Sequence, residues 1–217
     1  MRVVACDQRT PAWHAARCGR LTGSRAASAL SRGRHGESSG RRTTREELVL
    51  ERITGRSHDR GFANAHMARG LQFEPAAVAA YEAERGVLVD RVGFCAHDEL
   101  LAGYSPDGLV LDEEGLVEVK CPAAHTHFDT VVSGKAVPAA YRLQITHGLW
   151  LTGAQWADLV TFHPDFGPSL RIQVTRLWAR DVDLQAYDRD VRLFLAEVDR
   201  ALAAVPRAPG RRLAVVR

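Results

Sequence analysis

Six consecutive residues, Leu116-Val117-Glu118-Val119-Lys120-Cys121, constrain this chain more than any other stretch. Their apolar, β-branched character marks a strand, and strand side chains alternate between two faces. Glu118 and Lys120 therefore share one face, while Val119 points away from them into a core. Charge in an apolar strand is costly to bury without compensation. Upstream, Ser105-Pro106-Asp107-Gly108 reads as a turn, and Asp112-Glu113-Glu114-Gly115 as a hairpin turn between strands at 109–111 and 116–119. If the strands beside Asp107 and Glu118 pair, the two carboxylates can converge. Hard oxygen ligands with open positions suit Mg2+. Phosphodiester hydrolysis needs such a site: the ion binds the scissile phosphate, lowers the pKa of the attacking water and neutralises the leaving oxygen. Lys120 would hold that water or help to deprotonate it, and would stabilise developing negative charge. A plainer reading also fits these residues alone: two charges on one strand face can be a solvated edge pair, and Asp-Gly only a turn.

The rest of the 217 residues reads as helices around a meander of strands. Thr10-Pro11 opens a helix that stops at Gly19, with threonine at the cap and proline at the first position. A second short helix starts near Thr22 or Ser24 and ends near Leu30. Residues 31–42, rich in Gly, Ser and Arg, read as a mobile loop. Thr44-Arg45-Glu46-Glu47 is a capping box for a helix that ends at Gly55. A long helix covers 63–85, broken or kinked at Pro75. After Gly86 the period changes, with short strands at 87–92, 94–96, 101–104, 109–111 and 116–119. Helices at 128–132 and 138–151 and strands at 156–162 and 170–174 follow. A final helix over 182–204 carries an apolar stripe at Leu184, Tyr187, Val191, Phe194, Leu195, Val198 and Leu202. This order implies an α/β fold of mixed α+β character, a central mixed sheet flanked by helices, in one domain over 1–217. Its parts are basic N-terminal helices with the 31–42 loop, a core of about 63–176 and the C-terminal helix.

The chain is 46% hydrophobic and 25% charged, as globular proteins are. No stretch approaches the roughly 20 apolar residues that span a bilayer, and the N-terminus lacks the apolar run of a signal peptide. A cytoplasmic protein with no membrane partner is expected. Cys6, Cys18, Cys95 and Cys121 are scattered, which argues against a zinc or iron–sulfur site. The net charge of +3 is unevenly spread. Residues 17–45 hold eight arginines (17, 20, 25, 32, 34, 41, 42 and 45) against one acid, Glu37, a balance of +7. The end of the chain is basic too, at Arg207, Arg211, Arg212 and Arg217. Such a cluster either solubilises a surface or attracts a polyanion; arginine without lysine points to phosphate, which its planar fork grips.

Five blocks, in order, resemble the bacteriophage lambda exonuclease and YqaJ-like viral recombinase family of the PD-(D/E)XK nuclease superfamily. They are Trp13-His14-Ala15-Ala16-Arg17 with Thr22-Gly23-Ser24; Arg69-Gly70-Leu71-Gln72-Phe73-Glu74; Ser105-Pro106-Asp107-Gly108; Glu118-Val119-Lys120-Cys121-Pro122; and Tyr141-Arg142-Leu143-Gln144. The resemblance implies a restriction-endonuclease-like core in which Asp107, Glu118 and the Val119 carbonyl bind metal. Lys120 would handle the nucleophilic water, Glu74 would reach a second metal or its water, and Gln144 would orient nucleophile or phosphate. Arg17 and Ser24 match positions that bind a 5′-terminal phosphate, with Arg34, Arg41 or Arg42 as a further grip. Asp98 falls near another acidic position of the family, with one residue fewer between it and Asp107. Without the resemblance, Glu74, Gln144 and Arg17 would read as ordinary helix-surface residues. His125 and His127 read as loop residues near DNA rather than metal ligands, and His14 as structural.

The expected activity is a Mg2+-dependent exonuclease, with Mn2+ as a substitute and two ions per site. It would degrade linear double-stranded DNA 5′ to 3′ to mononucleotides from a 5′-phosphate end, leaving 3′ single strands for recombination. The resemblance further implies a homotrimer, a single-strand annealing protein as partner, and a phage or prophage protein in a bacterial host. Two alternatives fit the same sequence: a structure-specific or restriction-type endonuclease of the same superfamily, and a DNA-end binding protein without catalysis.

Overall fold

The computed structural model describes residues 1–34, 36–57, 65–134 and 137–206. In chain order the elements are β1 (Arg2–Val4), α1 (Pro11–Arg17), β2 (Leu21–Thr22), α2 (Gly23–Ala29), β3 (Arg32–Gly33), β4 (Gly36–Glu37), α3 (Ser39–Thr54), α4 (Ala65–Arg85), β5 (Phe94–Ala96), β6 (Ala102–Tyr104), β7 (Gly108–Val110), β8 (Gly115–Lys120), α5 (Ala124–Ser133), α6 (Ala139–Thr152), β9 (Trp156–Phe162), β10 (Ile172–Trp178) and α7 (Leu184–Ala203). The mixed α/β class with sheet flanked by helices is as expected. The strands, however, divide between two mixed four-stranded sheets, ordered β1-β5-β6-β2 and β10-β9-β8-β7, with β3-β4 as a separate pair. Each large sheet has one parallel pair, β2 with β6 and β8 with β9. Ser105-Pro106-Asp107 is the link between them, since β6 ends at Tyr104 and β7 starts at Gly108.

β8 is buried on both faces. Leu116 joins the core built by Leu21, Ile145, Leu149 and Phe194, whereas Val117, Val119 and Cys121 join the core under Ala77, Val78 and Tyr81 of α4. A strand between two helical layers reads as apolar throughout, so Glu118, at 2% exposure, is a buried charge rather than an edge residue.

Local chemistry explains where the elements start and where the sequence misleads. Thr10 accepts the Trp13 N–H at 3.3 Å, with Pro11 opening α1. α3 begins at Ser39, not at Thr44: Ser38 caps it by accepting the Arg41 N–H at 3.1 Å, and Thr44 is buried inside the helix. The 31–42 stretch therefore contains the β3–β4 hairpin and the first turn of α3 instead of an uninterrupted loop. α4 runs on through Pro75; one lost backbone hydrogen bond is offset by burial of Ala77, Val78 and Tyr81. Residues 87–92 form no strand, and only Asp90 bridges to Leu109. α5 begins at Ala124, earlier than expected, and β10 runs on to Trp178. In α7 the stripe Tyr187, Val191, Phe194, Leu195 and Val198 is buried as the 3.6-residue period requires. Residues 63 and 64 and the four terminal arginines lie outside the described residues.

Part of the charge of the arginine-rich segment is matched by acids, some of them outside it. Arg25 meets buried Glu51 at 2.7 Å, Arg41 meets Glu197 at 2.9 Å, and Arg45 pairs with Glu37. Among the described residues, no helix is long and apolar enough to cross a membrane.

Candidate active site

A cavity of about 800 Å³ opens beside the link between the two sheets. Its wall takes Gln8, Arg9, Trp13 and Arg17 from the N-terminal segment, Gly23 and Ser24 from α2, and Glu74 from α4. Tyr104, Ser105 and Asp107 come from the sheet link, Glu118, Val119 and Lys120 from β8, and Tyr141 and Gln144 from α6.

Glu118 is held from three sides. Lys120 Nζ and Gln144 Nε2 both donate to Oε1 at 2.5 Å, and the Tyr104 hydroxyl donates to Oε2. Period-2 alternation delivers Lys120 to Glu118, and α6 delivers Gln144 across the cavity. Burial pulls Lys120 down, but the Glu118 and Asp107 carboxylates outweigh it and hold the amine above its ordinary value, as an ammonium. Burial, then Glu118, pushes the Tyr104 phenol far up, so it stays neutral and donates.

Tyr104 was not singled out by the sequence, yet it explains two glycines. A Cβ on Gly23 would stand 2.7 Å from the Tyr104 ring, and one on Gly148 2.8 Å from its other edge. The ring is thus sandwiched between α2 and α6. Gly23→Ala should overpack this slot and destabilise the protein by about 1–3 kcal/mol, read as a lower urea midpoint; an unchanged midpoint would show that the ring is not confined.

Asp107 Oδ2 accepts the Val119 N–H at 2.7 Å, which ties the sheet link to the strand that carries Glu118. Burial, then the Glu118 charge, pushes the Asp107 carboxyl up to about 8, against the opposing pull of Lys120 and the Val119 N–H. Gln8, also unforeseen, donates to the carbonyls of Pro106 at 2.8 Å and Val92 at 3.1 Å and so fixes the Asp107 turn.

A second cluster lines the same cavity. The Arg17 guanidinium stacks 4.2 Å from the Trp13 ring centroid and donates to Ser105 Oγ at 3.2 Å and Ser24 Oγ at 3.5 Å. Trp13 Nε1 donates to the same Ser105 oxygen at 2.8 Å. The fork is thereby oriented before any ligand arrives.

Other candidates sit elsewhere. Arg34 and Arg42 are exposed and do not line the cavity. Arg41 is engaged by Glu197 and the Ala29 carbonyl on a different groove. Asp98 is exposed and outside the cavity. His125 and His127 lie in α5 rather than a loop, and His127 is buried against Leu170 O at 2.8 Å. Glu74 lines the cavity, but its carboxylate meets Arg9 at 2.7 Å.

Among the described residues, no group of three or more His, Cys, Asp or Glu side chains is arranged to hold a metal ion. The site offers a carboxylate pair, and Mg2+ is commonly held by one or two carboxylates, with waters and substrate phosphate completing its shell. When both are ionised, Asp107 and Glu118 set two negative charges against the one positive charge of Lys120 in the same cavity, a deficit of one. A divalent cation supplies that deficit, so the residues fit the group.

Family and fold make this chain a nuclease of the lambda-exonuclease type. The chain matches the YqaJ-like viral recombinase domain over residues 12–155 and belongs to that family. It is similar to the crystal structure of LHK-Exo in complex with dAMP, at 35% identity and a TM-score of 0.79 over 89% of this chain and 95% of that one. A second structure of that protein, the alkaline exonuclease LHK-Exo from Laribacter hongkongensis, gives 34% identity with the same coverage and TM-score. A phage related exonuclease from Haemophilus somnus 129PT shares the fold, at 16% identity and a TM-score of 0.68 over 86% of this chain and 96% of that one. No curated protein sequence matches the chain.

Proposed function

We propose that this chain is a Mg2+-dependent exonuclease that degrades linear double-stranded DNA 5′ to 3′ to mononucleotides, leaving a 3′ single strand for recombination. The observation that carries this reading is a single cavity holding Asp107, Glu118 and Lys120 together with the Arg17–Ser24–Ser105 cluster. The dAMP bound to similar LHK-Exo supports a mononucleotide product.

Asp107, Glu118 and the Val119 carbonyl would hold the cation, with Mn2+ as a substitute. When bound, it supplies Lewis acidity toward the scissile phosphate. Tyr104, Lys120 and Gln144 lock Glu118 in one orientation, which keeps the site preorganised. Lys120, as an ammonium, donates: it positions the attacking water and stabilises negative charge gathering on the phosphate. Gln144 orients the nucleophile or the phosphate from α6. Arg17 presents its fork to the terminal 5′-phosphate, with Ser24 beside it. Because Asp107 must lose its proton to bind a cation, apparent Mg2+ affinity rises with pH up to about 8. An alkaline working range follows, in keeping with the similar alkaline exonuclease. By family resemblance the proposal extends to a homotrimer around DNA, a single-strand annealing partner and a cytoplasmic role in a phage-bearing bacterium.

The test is digestion of blunt linear duplex with 5′-phosphoryl or 5′-hydroxyl ends, with and without Mg2+. Mononucleotide release that requires Mg2+ and favours phosphoryl ends is expected. Arg17→Ala should remove that preference, an effect of about ten- to a hundredfold for a charge-assisted contact. Cutting of closed circular DNA would favour an endonuclease, and metal-independent end binding without product a non-catalytic protein.

A further inference from the structure

Arg9 has a left-handed backbone, φ 69°, and only Glu114 among the other described non-glycine residues shares a positive φ. A residue with a Cβ adopts that conformation at a cost of about 1 kcal/mol or more, and such strain gathers at functional sites. Both neighbours are tied down. Gln8 is hooked to the Pro106 and Val92 carbonyls, and Thr10 is the cap of α1. Between them the Arg9 guanidinium reaches Glu74 Oε2 at 2.7 Å, and Arg91 stands 4.0 Å from the other carboxylate oxygen. Glu74 is 14% exposed at its side chain, Arg9 43%. Glu74 shares the cavity with Asp107 and lies close enough for its charge to bear on that carboxyl.

We propose that Arg9 is a resident cation that competes with a second divalent ion for Glu74, so that the chain holds one ion tightly and another only weakly. This rests on the reading of Asp107 and Glu118 as a divalent site. Those two carboxylates suffice for one ion. A second ion needs Glu74, the remaining acid of the cavity, and there it meets a positive charge already in hydrogen-bond contact. Arg9 must swing toward solvent, which its exposure permits, before Glu74 can serve as a ligand. The expectation of two ions per site thereby becomes one tight and one conditional ion.

Mn2+ titrated into the metal-free full chain, without DNA, tests this when free Mn2+ is counted by electron paramagnetic resonance. Wild type should show one tight and one weaker ion. Arg9→Ala, checked for folding by circular dichroism, should tighten the weaker ion about tenfold and leave the first unchanged. Arg9→Lys keeps the charge and should titrate like wild type. Glu74→Gln should lose the weaker ion. Superimposable Arg9→Ala and wild-type titrations overturn the proposal, as does an Arg9→Lys curve that follows Arg9→Ala, which would make backbone strain the cause. If wild type binds no Mn2+, the Asp107–Glu118 reading falls, and this inference with it.

Discussion

Asp107→Asn should slow DNA hydrolysis by about a thousandfold or more and, in the same protein, raise the melting temperature without metal at pH 9. The first effect follows from removing one of two carboxylates proposed to hold the cation, an electrostatic contribution of about 4 kcal/mol. The second follows from the direction of the Asp107 shift. Burial, then Glu118, raises its folded carboxyl to about 8, while the unfolded chain ionises near its ordinary value of 3.8. Between those pH values the folded protein keeps a proton that the unfolded chain has released, so stability falls as pH rises, and above about 8 the loss is complete. Asparagine cannot ionise and escapes the penalty. Asp107 borders an open cavity that screens it, so a gain on the order of 2 kcal/mol is expected at pH 9, several degrees for a chain of this size. At pH 4 the two proteins should melt together. Mg2+ should stabilise wild type most at high pH and barely stabilise the variant. Thermal melts in EDTA and in Mg2+ at pH 4, 7 and 9 check all three. A variant that melts lower than wild type at pH 9 without metal would show that Asp107 is not a strained carboxylate.

Glu118 and Lys120 were legible because strand alternation is local: two charges separated by one apolar residue must share a face. The turn at Asp107 was legible for the same reason. The residues that hold this pair in place were not. Tyr104 is an unremarked aromatic at the end of a three-residue strand, and nothing in its neighbourhood announces that its hydroxyl meets Glu118. Gln8 and Arg9 reach the site across 98 and 65 residues of sequence, distances over which no pattern operates. The division into two sheets was hidden likewise, because β1 and β2 are too short to show a period. The arginine cluster misled in the opposite way. Its charge was obvious, but Glu51 and Glu197, which engage Arg25 and Arg41, lie outside the segment that looked unbalanced. Composition counts charges, and only the fold says which are already matched.

Asp158→Ala should destabilise the protein by about 3 kcal/mol, the low end of the cost of breaking a buried ion pair, because the Arg176 side chain left behind is a quarter exposed. Asp158 is fully buried on β9. It accepts Arg176 Nε at 2.7 Å on Oδ1, and Arg176 Nη2 and the Tyr81 hydroxyl, each at 2.8 Å, on Oδ2. The Arg176 guanidinium also stacks 3.6 Å from the Trp156 ring centroid. One carboxylate thus joins α4, β9 and β10. Because β9 pairs in parallel with β8, Asp158 beside Val117 and Leu159 beside Glu118, the same network braces the strand under the proposed active site. Alanine would leave the Tyr81 hydroxyl buried without its acceptor and would strip the Arg176 cation, itself a quarter exposed, of its partner. Pairing Asp158→Leu with Arg176→Met should recover much of the loss, since well-packed apolar residues commonly replace a buried pair without cost. Denaturant midpoints of the single and double variants measure both. Asp158 touches no residue proposed to meet substrate, so the folded fraction of Asp158→Ala should hydrolyse DNA at nearly the wild-type rate at low temperature. A stable Asp158→Ala protein with a collapsed rate would mean that this network sets the position of Glu118, and that bracing β9 is part of the chemistry.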